Sequence, residues 1–279
     1  MKKLLQWILI AVLFFAIAIS NCDASAQDDL LHVYFIDVGQ ADAAIITCEN
    51  KVLMIDGGNV ADSSLIYSML RNTLGIDHIN YIIATHPHED HVGGLAGALN
   101  ACTVDVLYTP ILNYETKAFQ SMIKYAREQK TTILIPQPGD CFFVGNTCVE
   151  LLAPLKDYQN CNDMSIVVKI TYRDTKFLFT GDIGWEAEHD LVESGFDLSA
   201  DVLKVPHHGS DTSSSHKFLL AVMPSYAVIS VGEGNPYDHP TEEALHRLED
   251  VGATVLRTDE LGAIHCSSDG NDLTFDLEK

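Results

Sequence analysis

An apolar run of strand length at 79–84 leads directly into Thr85-His86-Pro87-His88-Glu89-Asp90-His91, followed by Val92-Gly93-Gly94 and a helix. Three imidazoles and two carboxylates within six residues are not explained by packing, because such side chains are buried only when paired or bound. His86 and His88, two apart on an extended segment, point to one side. Asp90 and His91 follow the turn and face a second point a few ångströms away. The spacing predicts a pair of divalent cations roughly 3.5–4 Å apart that share a water. A fold that uses such a cluster must bring several strand ends together.

The rest of the chain alternates strand and helix periods in a way that fits this. Strands are predicted at 31–38, 43–48, 52–55 and 79–84, then at 149–152, 165–172, 176–179, 202–205 and 227–231, with three short ones at 254–257, 264–267 and 273–277. Helical spacing covers 63–74, 115–129, 185–194, 216–222 and 241–251. With no low-complexity linker and no short-period repeat, a single α/β domain is expected. At 47% apolar and 20% charged residues, disorder, collagen and coiled coil are excluded. The net charge of −22 excludes a nonspecific nucleic-acid coat, so a polyanion would have to be held by a local device.

The first residues read as an address. Lys2 and Lys3 precede an apolar run at 4–19 broken only by Gln6, and Ala24-Ser25-Ala26 has the small-x-small form of a cleavage site. Residues 1–26 are therefore expected to be a secretory signal and 27–279 the exported domain. The run is short of the roughly 20 residues of a spanning helix, which makes a membrane-anchored form the weaker alternative. Lipid modification of Cys22 is weaker again. Six further cysteines in an oxidising compartment allow up to three disulfides. Cys141 and Cys148 flank a hairpin and would lie opposite each other with Val144-Gly145 at the turn centre, but not with Gly145-Asn146 there.

The segment from Thr85 to Gly94 resembles the HxHxDH signature of the metallo-β-lactamase fold superfamily. Phe35-Ile36-Asp37-Val38-Gly39-Gln40, Met54-Ile55-Asp56-Gly57-Gly58, Asn162-Asp163-Met164-Ser165, Phe179-Thr180-Gly181-Asp182 and Lys204-Val205-Pro206-His207-His208-Gly209-Ser210 are similar to the hydrolase domain of ComEC-type DNA-uptake proteins. The resemblance implies a four-layer αββα sandwich, two metal ions and phosphodiester hydrolysis. It implies that His86 and His88 hold the first metal, Asp90 and His91 the second, and that Asp182 bridges them; an Asp capping the helix after Gly184 is the alternative for Asp182. One of His207 and His208 would bind the second metal, with His208 favoured, and the other would contact substrate. Asp56 would orient ligand histidines from behind. Asn162 stands where many superfamily members have a third histidine, and two imidazoles with oxygen donors suit Zn²⁺ or Mn²⁺. A disulfide is the safer reading of the neighbouring Cys161 than a thiolate ligand. Ala41 replaces a family glycine, while Asp42 is retained.

Substrate handling is read from two further stretches. Ser210, Ser213 and Ser214 belong to a hydroxyl-rich segment before the helix at 216, a place that can receive phosphate or serve only as the helix's cap. Asn235-Pro236-Tyr237-Asp238-His239-Pro240 resembles the family's Asn-x-Tyr-Gly-His-Pro loop, with Asp238 in place of glycine, which makes Asn235 a substrate contact and His239 a proton donor or phosphoryl contact. Asp90, His207 and His239 are thus the expected catalytic residues. Lys204, Lys217, Arg247 and Arg257 are scattered, so short or single-stranded nucleic acid, or a small phosphodiester, fits better than a duplex. The alternatives are a lactone, β-lactam or thioester hydrolase on the same centre, or a non-catalytic, metal-stiffened binding module. Oligomeric state is left open.

Overall fold

In the computed structural model the described residues are 29–277, so the expected signal segment 1–26 and Cys22 lie outside them. The first half lays down β1 (Leu31–Phe35), β2 (Ala43–Cys48), β3 (Lys51–Gly57), α1 (Ser63–Ser68, continued by a π turn Met69–Thr73), β4 (His78–Ile83), α2 (Glu89–Val92), α3 (Leu95–Ala101), β5 (Thr103–Tyr108), α4 (Lys117–Gln129) and β6 (Thr132–Leu134). The second half adds β7 (Asp140–Val144), β8 (Thr147–Leu151), β9 (Val168–Tyr172), β10 (Thr175–Phe179), α5 (Trp185–Glu193), β11 (Val202–Lys204), α6 (His216–Val222), β12 (Tyr226–Ile229), α7 (Glu242–Asp250), β13 (Thr254–Arg257) and α8 (Thr258–Leu261). The hairpin β14 (Ile264–Ser268) and β15 (Leu273–Leu277) returns to the first sheet. That sheet runs β15-β14-β1-β2-β3-β4-β5-β6 and the second runs β13-β12-β11-β10-β9-β8-β7.

Strand periodicity builds the layers. Along β2, Ala43 and Ile45 face one core, shared with Met122 and Ile123 of α4, while Ala44 and Ile46 face the other sheet. The second sheet does the same: Phe177 and Phe179 pack between the sheets, and Leu178 packs outward against Leu191 of α5 and Phe218 of α6. Three apolar layers therefore alternate with four structural ones, the αββα sandwich expected from the motifs. Because both faces of the central strands are covered, they read as continuous apolar runs rather than alternating ones.

The structure differs from the sequence expectation in a few places. Strands β5 and β6 carry no strong apolar run of their own and are held by parallel pairing to β4 and to each other. The stretch 165–167 lies outside β9 and is used in the site described below. In the β7–β8 hairpin Val144 pairs with Thr147, so Gly145-Asn146 are the turn centre; Cys141 opposes Glu150 and Cys148 opposes Phe143. The two cysteines are thus offset diagonally, and all six cysteines among the described residues are free. Among the described residues no helix is long and apolar enough to cross a membrane.

Candidate metal centre

The candidate ligands leave the carboxyl ends of two parallel strand pairs. β3 and β4 run side by side, β3 ending at Asp56-Gly57 and β4 at Ile83, two residues before Thr85; β10 and β11 run side by side, ending before Asp182 and before His207-His208. Loops at the ends of the two sheets thereby converge on one edge of the sandwich.

Four side chains there, Asp90, His91, Asp182 and His208, place ligand atoms within 4.8 Å of one another. His91 Nε2 is 3.3 Å from Asp182 Oδ1 and 3.8 Å from Asp90 Oδ2; His208 Nε2 is 3.4 Å from Asp90 Oδ2 and 3.8 Å from Asp182 Oδ2. Ligand bonds of about 2.0–2.2 Å in a tetrahedron put donor atoms about 3.3–3.6 Å apart. The cluster therefore has the dimensions of a cation site. It also has the chemistry, since His91 Nε2, His208 Nε2 and Asp182 Oδ1 are buried with no hydrogen-bond partner. Buried polar atoms facing one another without a bond are costly unless a cation sits between them.

Partners behind the imidazoles fix which nitrogen is presented. His91 Nδ1 is 2.8 Å from Asp56 Oδ2, and Asp56 also accepts from Thr85 N at 2.8 Å and Thr85 Oγ1 at 2.6 Å. His208 Nδ1 donates to the carbonyl of Ser230 at 2.9 Å. Each ring thus keeps its Nε2 free for a cation. A further acidic group, Asp42, Asp56 and His91, also lies within 4.8 Å. It is not an open ligand set, because Asp42 pairs with Lys204 Nζ at 2.7 Å and Asp56 is committed to Thr85 and His91.

A second point forms on the other side of Asp182. His86 Nε2 is 3.1 Å from His88 Nδ1 and 3.8 Å from Asp182 Oδ2. The amide of Asn162 reaches toward it: Nδ2 is 3.4 Å from His207 Nε2, and the buried Oδ1 has no partner. His207 Nε2 lies 3.9 Å from Asp182 Oδ2, while its Nδ1 is 3.5 Å from Thr212 Oγ1. His207 and His208 diverge because both take left-handed backbone, φ 51° and 54°. Such conformations are strained for non-glycine residues and persist where the surroundings over-determine them. Here His208 turns inward and His207, half-buried, toward the mouth.

The electrostatics are those of an anionic hole. Burial would depress the His91 imidazole, but Asp182, Asp56 and Asp90 outweigh it and hold it well above the ordinary histidine value. His208 is likewise raised to about 10 against burial, by Asp182 and Asp42. Burial would raise Asp90, yet His91 and His208 bring it to about 2. His86, by contrast, is driven well below the histidine range by burial and by His91. Protons on His91 and His208 thus supply positive charge that a divalent cation would displace. His239, 5.7 Å from the His207 ring and edge-on to it, is lowered by burial and by His207 and His208, and its buried Nδ1 has no partner.

Residues 36–233 match the family profile described as the Metallo-beta-lactamase superfamily. The chain belongs to that superfamily. It is 29% identical over 250 residues to ComE operon protein 3 of Bacillus subtilis, covering 83% of this chain and 32% of the relative. It is 31% identical over 257 residues to Competence protein ComA of Neisseria gonorrhoeae, covering 91% and 35%. The chain thus spans about a third of the length of these relatives. Among solved structures it resembles the metallo-beta-lactamase fold protein YhfI from Bacillus subtilis, with a TM-score of 0.58 and 13% identity over 86% of this chain and all (100%) of that one, which shows the fold alone.

Within this superfamily member several expected residues hold the loops rather than face the mouth. Ser213 Oγ donates to the carbonyls of Pro206 and Ser210; the Ser210 hydroxyl bonds Thr212 Oγ1; the backbone N–H of Ser214 donates to Glu188. All three serines are buried; the Ser210 and Ser213 hydroxyls help close the His207-His208 loop, while Ser214 Oγ has no hydrogen-bond partner. Asn235 is spent on its own loop: Oδ1 accepts from Tyr237 N and His239 N, and Nδ2 donates to Gly232 O and His239 O. Lys204, one of the scattered basic residues, is buried against Asp42. The helix after Gly184 is capped by Asp163, whose Oδ1 accepts from Gly184 N at 2.7 Å, which leaves Asp182 free of that duty.

Residues absent from the sequence-derived site are those that act across long separations. Ser165 Oγ accepts from Asp182 N at 3.1 Å, and a Cβ on Gly181 would press on Ser165 and Thr85. Glu188 accepts from the N–H groups of Ser214 and Ser215, while Arg247 donates to the carbonyls of Asp211, Ser213 and Ser214. The loop is clamped from both sides. Only the placement of Asp163 and Ser165 beside Asn162 hinted at this role, and nothing local named their partners.

Proposed function

We propose that this chain is an exported, divalent-cation-dependent phosphodiesterase acting on short or single-stranded nucleic acid, with two Zn²⁺ or Mn²⁺ ions. The observation that carries the reading is the pair His207 and His239 at the mouth. Both imidazoles stand outside the closely spaced group of Asp90, His91, Asp182 and His208, with their rings 5.7 Å apart. A phosphoryl group in transfer spreads charge over several oxygens and a leaving group, and two imidazole donors beyond the cations suit that demand.

In this reading His86, His88 and Asn162 would hold one ion, and Asp90, His91 and His208 the other. Asp182 serves both, a role supported by its two oxygens: Oδ1 lies 3.3 Å from His91 Nε2 and Oδ2 3.8 Å from His86 Nε2. Bound there, divalent cations supply Lewis acidity and bring the pKa of a water toward neutrality. Asp90, partly exposed, would help orient the attacking water. His207 steadies a phosphoryl oxygen, while His239 donates to the leaving group. Asp56 and Ser230 keep the ligand rings in the tautomer they need.

The surface charge favours a small or single-stranded substrate. Lys204 is buried, Arg247 is tied to loop carbonyls, Arg257 binds Asp259 and Glu260, and Lys217 binds Glu193. None of the four is free to track a duplex backbone. Relatives named as competence proteins support a nucleic-acid substrate, and the basic-apolar start of the chain supports export.

The test is a substrate panel on one preparation loaded with Mn²⁺ or Zn²⁺: labelled single-stranded DNA, bis-p-nitrophenyl phosphate and nitrocefin. Hydrolysis of the phosphodiesters is expected. Rapid hydrolysis of nitrocefin or a lactone, with every phosphodiester untouched and the metals bound, would overturn the reading.

A further inference from the structure

The metal-ligand candidates form the middle of a longer run of rings. His86 and His88 lie 4.7 Å apart by ring centroid, His86 and His91 4.1 Å, His91 and His208 5.5 Å, His208 and His207 6.3 Å, and His207 and His239 5.7 Å. A tyrosine stands at each end. Tyr237 stacks on His239 at 5.7 Å with a 27° interplanar angle, and Tyr114 lies 6.2 Å from His88.

Tyr237 stands clear of the core, while Tyr114 is half-buried at the core's rim, its ring 6.1 Å from Phe119. Tyr237 is 65% exposed, yet its loop is rigidly built. Four bonds from the Asn235 amide fix the backbone on both sides of it, and Asp238 takes a left-handed φ of 55°. An exposed aromatic ring held in place by this much backbone bonding is presented rather than merely left out. Tyr114 lies beside Cys161, next to Asn162, and lines a groove of about 770 Å³. Leu112, Phe119 and Ile123 form its apolar wall.

We propose that Tyr237 and Tyr114 are stacking platforms that hold the bases on either side of the scissile phosphodiester, making the site selective for single strands. The inference rests on the phosphodiesterase reading and names the feature of the substrate that site takes. Every base has a π face, so such platforms bind without regard to sequence, and they require unpaired, unstacked bases. They also supply affinity that does not depend on a positive surface, which suits a chain of net charge −22. In a duplex the same bases are paired and stacked on their neighbours, and opening them opposes binding.

The experiment uses the Mn²⁺-loaded protein, fluorescein-labelled oligo(dT), and a labelled strand of equal length without bases, with binding read by anisotropy and cleavage on gels. Tyr237→Ala and Tyr114→Ala should each weaken oligo(dT) binding by about 5- to 160-fold, the range of one aromatic–base stack. Tyr237→Phe should bind like the wild type, and on the baseless strand wild type and variants should bind alike. Equal losses on both strands, a Phe variant as weak as the Ala variant, or no loss at all would overturn the platforms. Tyrosine-dependent binding without cleavage would sink the hydrolase reading and leave the platforms standing. Cleavage with tyrosine-independent binding would do the reverse.

Discussion

Asp42→Ala isolates a buried ion pair that sits directly behind the candidate metal centre. Asp42 Oδ2 and Lys204 Nζ are 2.7 Å apart, with only 7% and 4% of the side chains exposed. The backbone of residue 42 bonds Asp90 O and Gly58 N and would survive truncation. Lys204, however, would keep only the carbonyl of Val205, at 3.1 Å. At an effective dielectric near 20, charges at this spacing attract by about 6 kcal/mol. Desolvation of both groups offsets much of that, and truncating one partner of a buried pair costs about 3–5 kcal/mol because the other charge is left alone. Asp42→Asn should retain about 1 kcal/mol through a neutral hydrogen bond. Pairing Asp42→Leu with Lys204→Met should recover most of the loss, since it removes both charges.

The assay is urea unfolding in excess chelator, so that metal binding does not contribute to stability. The pH dependence has a fixed sign. Burial would raise the Asp42 carboxyl, but Lys204 and His208 outweigh it and hold it far below the ordinary carboxylate range. A depressed folded-state value means the stabilisation is present above the unfolded value of about 3.9 and is lost as pH falls through the folded one. The gap between wild type and Asp42→Ala should therefore narrow on acidification below about pH 4. An Asp42→Ala protein within about 1 kcal/mol of wild type at neutral pH, against the expected 3–5, would refute the argument.

Other perturbations test the site from different directions. Asp182→Ala should lose most bound metal by elemental analysis and His88→Ala only part, and full two-ion loading of Asp182→Ala would remove the bridging role. His208→Ala should lower metal occupancy, whereas His207→Ala should keep the ions and lose about 10²- to 10³-fold in phosphodiester turnover, the usual effect of one lost transition-state contact. Gly94→Ala should destabilise by more than the ~1–3 kcal/mol of ordinary overpacking, because the added methyl overlaps the Gly57 carbonyl that abuts α3; a wild-type unfolding midpoint would contradict this. In the native protein a thiol reagent should modify exposed Cys141 first and spare Cys102 and Cys266, whose thiols burial pushes up to about 11 and about 12. Fewer than six reactive thiols after unfolding without reductant, cysteines being counted from 29 onward, would show that disulfides form.

Much of the site was legible because local chemistry announces it. His86, His88, Asp90 and His91 are neighbours in the chain, and no core needs that composition. Asp182 and His207-His208 follow apolar runs that could only be buried strands, so their place at strand ends followed from the pattern. The errors have one cause. Ser213, Ser214 and Asn235 carry groups suited to substrate, but whether such a group meets ligand or backbone depends on where its own loop turns. For Ser213 and Asn235 the nearest backbone partner won, as it does wherever a short polar side chain lies within reach of unsatisfied N–H and C=O groups, whereas the Ser214 hydroxyl is buried without a partner. The hairpin cysteines were left open between two turn centres, and the observed centre at Gly145-Asn146 places them diagonally rather than opposite.

The sequence by itself determined the alternation of strands and helices and the identity of the cluster, because strand and helix periods and a run of metal-type side chains are properties of neighbouring residues, while the four layers were implied by the family resemblance. Tertiary structure alone decided which atoms are free to bind. The Nε2 atoms of His91 and His208 are available only because Asp56 and Ser230 occupy the opposite ring nitrogens, at sequence separations of 35 and 22 residues. Asp182 is free of helix capping because Asp163 does that work from 21 residues away, and Lys204 is removed from the surface by Asp42, which precedes it by most of the domain. A hydrogen bond or ion pair is settled by distances of about 3 Å, and those distances are set only when the two sheets pack face to face.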